Sequence, residues 1–240
     1  MRGIDLIYQA GIHVEVKCSV TQVNQRHYQA LHQFFATRGI KVDFNAQIRK
    51  TNGGVLDPSP LNLSFEEKVD LNLFKIGLDG DVRERPEPTK APEETRLCFA
   101  GINALYVAPD LKVFPCSAFP MQIGDLGTQT LKEVWAGDEK LQDVRQMNRA
   151  RTQGCSNCDA RKYCGYCMGK AYLENEGDYT QPASITCADA FAWKDATKRY
   201  VEGDRSKPQA TPKPTRKPVF NIRSTHDSPP KAKVTICGNC

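Results

Sequence analysis

Seven of the ten cysteines in this 240-residue sequence fall between positions 98 and 187, and their spacing is its strongest chemical signal. The densest run is Cys155-Ser-Asn-Cys158, five residues, then Cys164-Gly-Tyr-Cys167; Cys98 and Cys116 precede it and Cys187 follows. Two CxxC pairs this close can aim their thiolates at a common centre, because each CxxC turn presents both sulfurs on one side. Disulfides would need an export signal, and residues 1–10 mix Arg2 and Asp5 into an amphipathic stretch rather than a signal-peptide core. Metal or redox chemistry is therefore expected. Spacing alone leaves two metals open. Four thiolates can close a structural zinc site, but zinc modules usually separate their pairs by ~12 to 20 residues, and one such site leaves cysteines to spare. Iron-sulfur clusters draw ligands from scattered positions, and seven cysteines can serve two clusters if one lacks or borrows a ligand.

The elements that must position these thiols can be read from hydrophobic period and turn chemistry. Residues 13–20 alternate apolar and polar as a strand does. Asn24 is a plausible N-cap for a helix carrying Tyr28, Leu31, Phe34 and Phe35 at helical spacing, Gly39 is a fitting stop, and residues 41–48 form the next strand. This is a βαβ unit, with parallel strands and a right-handed crossover. Two such strands and one helix leave edges and a face uncovered, so a partner chain or the rest of a barrel should flank them. Residues 52–96 form a connector with a short helix over 64–73, begun by Ser64 and Glu67 as a capping box. A hairpin over 105–107 and 112–114 turns through Pro109-Asp110, and a helix over about 131–148 leads into the dense cysteines.

Composition bounds the rest. A chain that is 40% hydrophobic and 25% charged is ordinary for a soluble globular protein, and no apolar run approaches the ~18 residues that span a bilayer. A cytoplasmic location without a membrane partner is expected. Residues 203–240 hold eight Lys or Arg against two Asp and six of the fifteen prolines, which leaves the body at about −1 of the total +5. This tail is expected to be disordered and solvated, and a nucleic-acid partner is not expected.

The cysteine pattern resembles the SPASM domain, the twin-cluster C-terminal region of radical S-adenosylmethionine (SAM) enzymes that mature peptides and proteins. That family orders a cysteine, Gly-x4-Cys, Cys-x2-Cys-x5-Cys-x3-Cys and a last cysteine, and Cys98, Cys116, Cys155, Cys158, Cys164, Cys167 and Cys187 occupy the seven places. Ile123 to Leu126 and Leu131 to Trp135 resemble the family's linker region, and the βαβ unit resembles the last strands of the radical SAM barrel. The resemblance implies an outer cluster on Cys155, Cys158, Cys164 and Cys187, and an inner one on Cys98, Cys116 and Cys167, both of the [4Fe-4S] type. The inner set is one ligand short, to be left open or completed by Cys237 or Cys240. The sequence departs from the pattern at three points. The motif glycine falls on Leu111, so the turn before Cys116 is expected to avoid positive φ. Two residues rather than three separate Cys164 from Cys167, and Ser117 stands where sulfatase-maturing relatives carry Asp. The CxxxCxxC motif of the SAM-cleaving cluster is absent from these residues, so the chain is expected to be an N-terminally truncated piece or one part of a complemented enzyme. SAM would bind only in that fuller enzyme.

The expected architecture is α/β: a partial radical SAM barrel fragment over 1–51, a connector over 52–96, a loop-rich cysteine domain over 97–192, and a helix end and basic tail over 193–240. The expected function is an iron-sulfur module for electron transfer and substrate positioning, acting on a peptide or protein and not catalytic alone. The alternative is a zinc-stabilised binding domain. Cys18 is read as a core residue, the four histidines as unpaired for metal, Tyr163 and Tyr166 as shields around Cys164, and Trp135 as the core anchor of its helix.

Overall fold

The structure, a computed structural model, describes residues 2–52, 57–79, 91, 93–137 and 139–203. Most of the expected basic tail, with Cys237 and Cys240, lies outside the described residues, as do residues 80–90 of the connector.

A short helix, α1 (Arg2–Gln9), precedes strand β1 (Glu15–Ser19), helix α2 (Tyr28–Ala36) and strand β2 (Lys41–Asn45). The two strands pair in parallel, with Glu15 opposite Lys41 and Cys18 opposite Phe44. Helix α2 starts later than Asn24. The Asn24 side chain accepts from the Thr21 N–H (2.7 Å) and donates to the Ser19 carbonyl (2.9 Å), so it closes the turn leaving β1. Gly39 does stop α2. At φ +68° its N–H reaches the Ala36 carbonyl, and the Ile40 N–H reaches that of Phe35, a Schellman closure with Ile40 and Phe35 both buried. Val42 and Phe44 point into a core with Phe35, Leu71 and, partly buried, Tyr28 and Leu31. The opposite face carries Glu15, Lys17 and Asp43, with the Lys17 ammonium 3.2 Å from Glu15 and 3.1 Å from Asp43. One face of the strand pair is thus apolar and covered, and the other is polar and more exposed.

Helix α3 (Phe65–Asp79) opens with both arms of the capping box: the Ser64 N–H reaches Glu67 Oε2 (2.7 Å) and the Glu67 N–H reaches Ser64 Oγ (3.4 Å). It runs well past the expected end near 73, because its far half is buried on two sides. Leu71 and Phe74 face the β1–β2 core, while Val69, Leu73 and Ile76, at i, i+4 and i+7, meet Ala192, Trp193 and Ala196. Burying each of those three aliphatic chains is worth about 1.5–3 kcal/mol. The opposing residues belong to the last helix, α7 (Ser184–Val201), which runs through position 192.

Between them lies an antiparallel meander of β3 (Tyr106–Val107), β4 (Lys112–Phe114) and β5 (Gly124–Asp125). The β3–β4 turn corrects one expectation. Leu111 adopts φ +66°, with its N–H on the Ala108 carbonyl and the Ala108 N–H on that of Lys112. This short loop needs a left-handed residue after its turn to match the strand twist, and the tertiary fold holds leucine there at a cost of about 1–2 kcal/mol. The expected helix over 131–148 divides into α4 (Leu131–Gly137) and α5 (Glu139–Gln146), the first begun by a second capping box, Thr130 with Glu133. Val134, fully buried, anchors α4. Trp135 does not: it is 38% exposed, with the Arg145 guanidinium 4.6 Å from its ring centroid. The helix carries its apolar side one position earlier than expected. Helix α6 (Met168–Glu174) closes the region over Val113, Phe119, Leu141 and Val144.

Candidate metal centre

Cys155, Cys158 and Cys164 sit on a chain of successive turns. The Cys158 N–H reaches the Cys155 carbonyl, the Arg161 N–H that of Cys158, and the Cys164 N–H that of Arg161. Each bond spans three residues, and turns of that kind bring every third side chain to the same side. Cys187 joins from the first turn of α7, its N–H on the Ala183 carbonyl. Cys164 and Cys187 feel both burial and the neighbouring thiols. Burial pushes the Cys164 thiol up to about 11, with Arg149 opposing and Cys187, Cys155 and Cys158 adding to the rise. Burial raises Cys187 too, helped by Cys155 and Cys158.

Cys167 continues the three-residue spacing but leaves the set. Cys164 (φ −90°, ψ 121°) and Cys167 (φ −124°, ψ 107°) are extended, so the chain swings away before entering α6. It arrives beside Cys98 and Cys116. Burial raises the Cys98 thiol, and Cys167 and Cys116 add to the rise while the Ala100 N–H lowers it. Cys98 and Cys116 share one local design: the Ala100 N–H meets Cys98 Sγ and the Ala118 N–H meets Cys116 Sγ, each at 3.3 Å. The Gly101 N–H on the Pro115 carbonyl (3.0 Å) ties the two loops together. Gly169 completes the arrangement, since a Cβ there would stand 2.1 Å from the Ala118 carbonyl oxygen. Only glycine lets α6 approach the Cys116 loop this closely.

Arg149 was not legible as a site residue. It is 9% exposed, and its Nε has no hydrogen-bond partner among the described residues. Its backbone is clamped: the N–H reaches the Thr95 carbonyl, and its own carbonyl accepts from Thr152 Oγ1 (2.6 Å) and Ser156 Oγ (3.3 Å), the latter inside the first CxxC. A buried guanidinium with an unpartnered Nε near Cys164 suits a bound anionic group. All-thiolate donors, N–H groups on two sulfurs and this buried cation together fit anionic iron-sulfur clusters. Among the described residues, no three His, Cys, Asp or Glu side chains close on the position of a single metal ion.

The remaining candidates fall away from the thiols or beside them. Cys18 is half-buried on β1 and packs with the β1–β2 core. His32 meets the Phe74 ring edge-on at 5.6 Å. Tyr166 is buried next to Cys155, Cys164 and Cys187, its hydroxyl shared between the Tyr179 and Gln181 carbonyls at 2.9 Å. Tyr163 instead packs on the α3–α7 core. The Tyr179 hydroxyl donates to Asp143, tying this loop to α5.

Residues 98–159 match the family model of SPASM, an iron-sulfur cluster-binding domain. The AdoMet-dependent heme synthase of Methanosarcina barkeri (strain Fusaro) is 30% identical over 87 residues, 36% of this chain and 24% of that protein. The AdoMet-dependent heme synthase of Nitratidesulfovibrio vulgaris (strain Hildenborough) is 21% identical over 197 residues, 72% of this chain and 53% of that protein. Thus the chain spans about a quarter and about half of these two relatives. Among solved structures, native anSMEcpe with bound AdoMet aligns with a TM-score of 0.56 at 13% identity, over 86% of this chain and 60% of that one. The same protein with AdoMet and a Cp18Cys peptide aligns at 0.54 and 15% identity, over 85% and 61%. The fold over most of this chain is therefore shared with anSMEcpe, and residues 98–159 are similar to the SPASM iron-sulfur cluster-binding domain.

Proposed function

We propose that this chain is the cluster-bearing part of a radical SAM enzyme, with Cys155, Cys158, Cys164 and Cys187 holding an outer [4Fe-4S] cluster and Cys98, Cys116 and Cys167 an inner one. The observation that supports the reading is the company three thiols keep: Cys164 and Cys187 stand near Cys155 and Cys158, and Cys98 stands near Cys116 and Cys167. An iron-sulfur cluster supplies one-electron transfer, here to or from a substrate held alongside. The chain's own part is to set the environment. Ala100 and Ala118 donate N–H groups to two thiolates, Arg149 offers a counter-charge to the outer set, and buried Tyr166 keeps water from it.

SAM cleavage belongs, in this reading, to a fuller enzyme in which another segment or partner chain carries the missing motif and completes the barrel. The cytoplasm, where thiols stay reduced, is the setting proposed; no described helix is long and apolar enough to cross a membrane. A peptide or protein substrate is supported by the peptide held by the solved neighbour. A second reading, a tetrapyrrole substrate, is favoured by the 197-residue match to a protein named heme synthase.

The test is anaerobic reconstitution with iron and sulfide. Cys155→Ala and Cys187→Ala should each lose about half the iron and of the broad absorbance near ~400 nm, and should be less stable than the wild type. Full iron content in both variants would refute the ligand assignment. Stoichiometric zinc in a colourless protein would establish the zinc-domain alternative.

A further inference from the structure

We propose that the cavity between the C-terminal end of β2 and helices α3, α6 and α7 binds a small molecule carrying carboxylate groups on an apolar body. The inference deepens the reading above, resting on β1 and β2 as barrel strands, and names the substrate's chemistry.

The cavity has a volume of about 450 Å³, in the range of small-molecule sites. Its cationic side is made by Arg49, Lys50, Lys68 and Lys170. The one carboxylate in its lining, Glu174, is engaged, with Oε1 accepting from the Ser184 N–H at 2.7 Å. Lys68 is only 3% exposed, and Lys170 lies half-buried one turn beyond Cys167. Among the described residues neither ammonium forms an ion pair or a hydrogen bond. The nearest acid behind them, Asp189, accepts from Gln47 Nε2 at 2.6 Å. Burial pushes Lys68 down in pKa, and Asp189 only partly opposes it. Drawing ammonium groups partly out of water without acceptors is costly, and an anion entering the cavity would relieve that cost.

The other side is apolar: Ile48, Leu173, Ile185 and Ala188. Charge on one side and hydrocarbon on the other call for a ligand with both characters. The location agrees. Ile48, Arg49 and Lys50 follow β2 directly, and parallel α/β folds place ligands at the C-terminal ends of their strands. Lys170 lies in the first turn of α6, which begins just after Cys167, so the cavity adjoins the inner thiol set.

The test is equilibrium binding to the full chain, before and after iron-sulfur reconstitution, with naphthalene-2,6-dicarboxylate as probe and the neutral dicarboxamide as control. The dicarboxylate should bind at least about tenfold more tightly than the dicarboxamide. Lys68→Met together with Lys170→Met should weaken it on the order of a hundredfold without changing iron content. Lys50→Met, a surface change that any folded chain tolerates, should weaken it about threefold. Equal binding of both probes, undiminished binding in the double variant, or equal competition by inorganic phosphate would overturn the proposal. Competition by a short amphipathic peptide bearing two glutamates would uphold carboxylate recognition and assign the carboxylates to a peptide; failure of that peptide would assign them to a non-peptide molecule. Dicarboxylate binding by a chain that takes up no iron upholds the cavity and refutes the cluster assignment; iron uptake without binding does the reverse.

Discussion

Cys98 and Cys116 stand on loops braced by a hydrophobic core, with Val113, Phe119 and Leu141 beneath them and α6 pressed against the Cys116 loop through Gly169. Cys155, Cys158 and Cys164 stand on a succession of tight turns with no strand among them, and buried Arg149, its Nε unpartnered among the described residues, lies near Cys164. In the proposed inner set, Cys98 and Cys116 pack against this core. In the outer set Cys155 is itself buried in that core with Cys164 packed against it, and Cys187 is carried by α7, so only Cys158 rests on the turns alone. The two proposed sets therefore share one core and differ in local backbone, with loops pinned by α6 on one side and a run of tight turns on the other.

The contrast is broken most severely at Gly169. Gly169→Ala drives a methyl group into the Ala118 backbone, and overpacking of this kind costs about 1–3 kcal/mol or forces α6 away. Reconstituted variant protein should lose the inner set's share of iron and keep the outer set's, read by iron analysis and electron paramagnetic resonance. An unchanged inner signal would show that the Cys116 loop tolerates separation from α6.

Arg149→Met sharpens the same contrast with an effect of opposite sign in two states. Without metal, removing an orphaned buried charge should stabilise the chain by about 1–3 kcal/mol in urea melts. With clusters loaded, it should lower the outer reduction potential and speed iron loss to a chelator, because a nearby positive charge favours the more negative, reduced state. Equal shifts in both states would deny Arg149 any role toward the thiols.

The smallest effect is expected at Leu111. Replacing it with glycine removes the left-handed strain of about 1–2 kcal/mol but returns about 0.5–1 kcal/mol of backbone entropy, a net gain near 0.5–1 kcal/mol. Leu111→Gly should raise the melting temperature slightly and leave iron content unaltered. A loss of stability would mean that the Leu111 side chain contributes more than its backbone costs.

Local chemistry determined a good part of this protein from sequence alone. The βαβ unit, the Ser64–Glu67 capping box, the Gly39 stop and the Pro109-Asp110 hairpin are written in period and turn residues, which act over a few positions. The seven-cysteine register was legible too, because it is a pattern of spacing. What spacing could not decide was left to tertiary structure. Cys167 stands three residues after Cys164, as Cys158 does after Cys155, yet an extended backbone turns it toward Cys98. Leu111 accepts positive φ because the flanking strands demand that twist, and α3 runs beyond its local signal because α7 buries its far side. Arg149, Lys68 and Lys170 carry no signature at all. A lone basic residue becomes a site only when distant segments close around it and remove the water that would otherwise satisfy it.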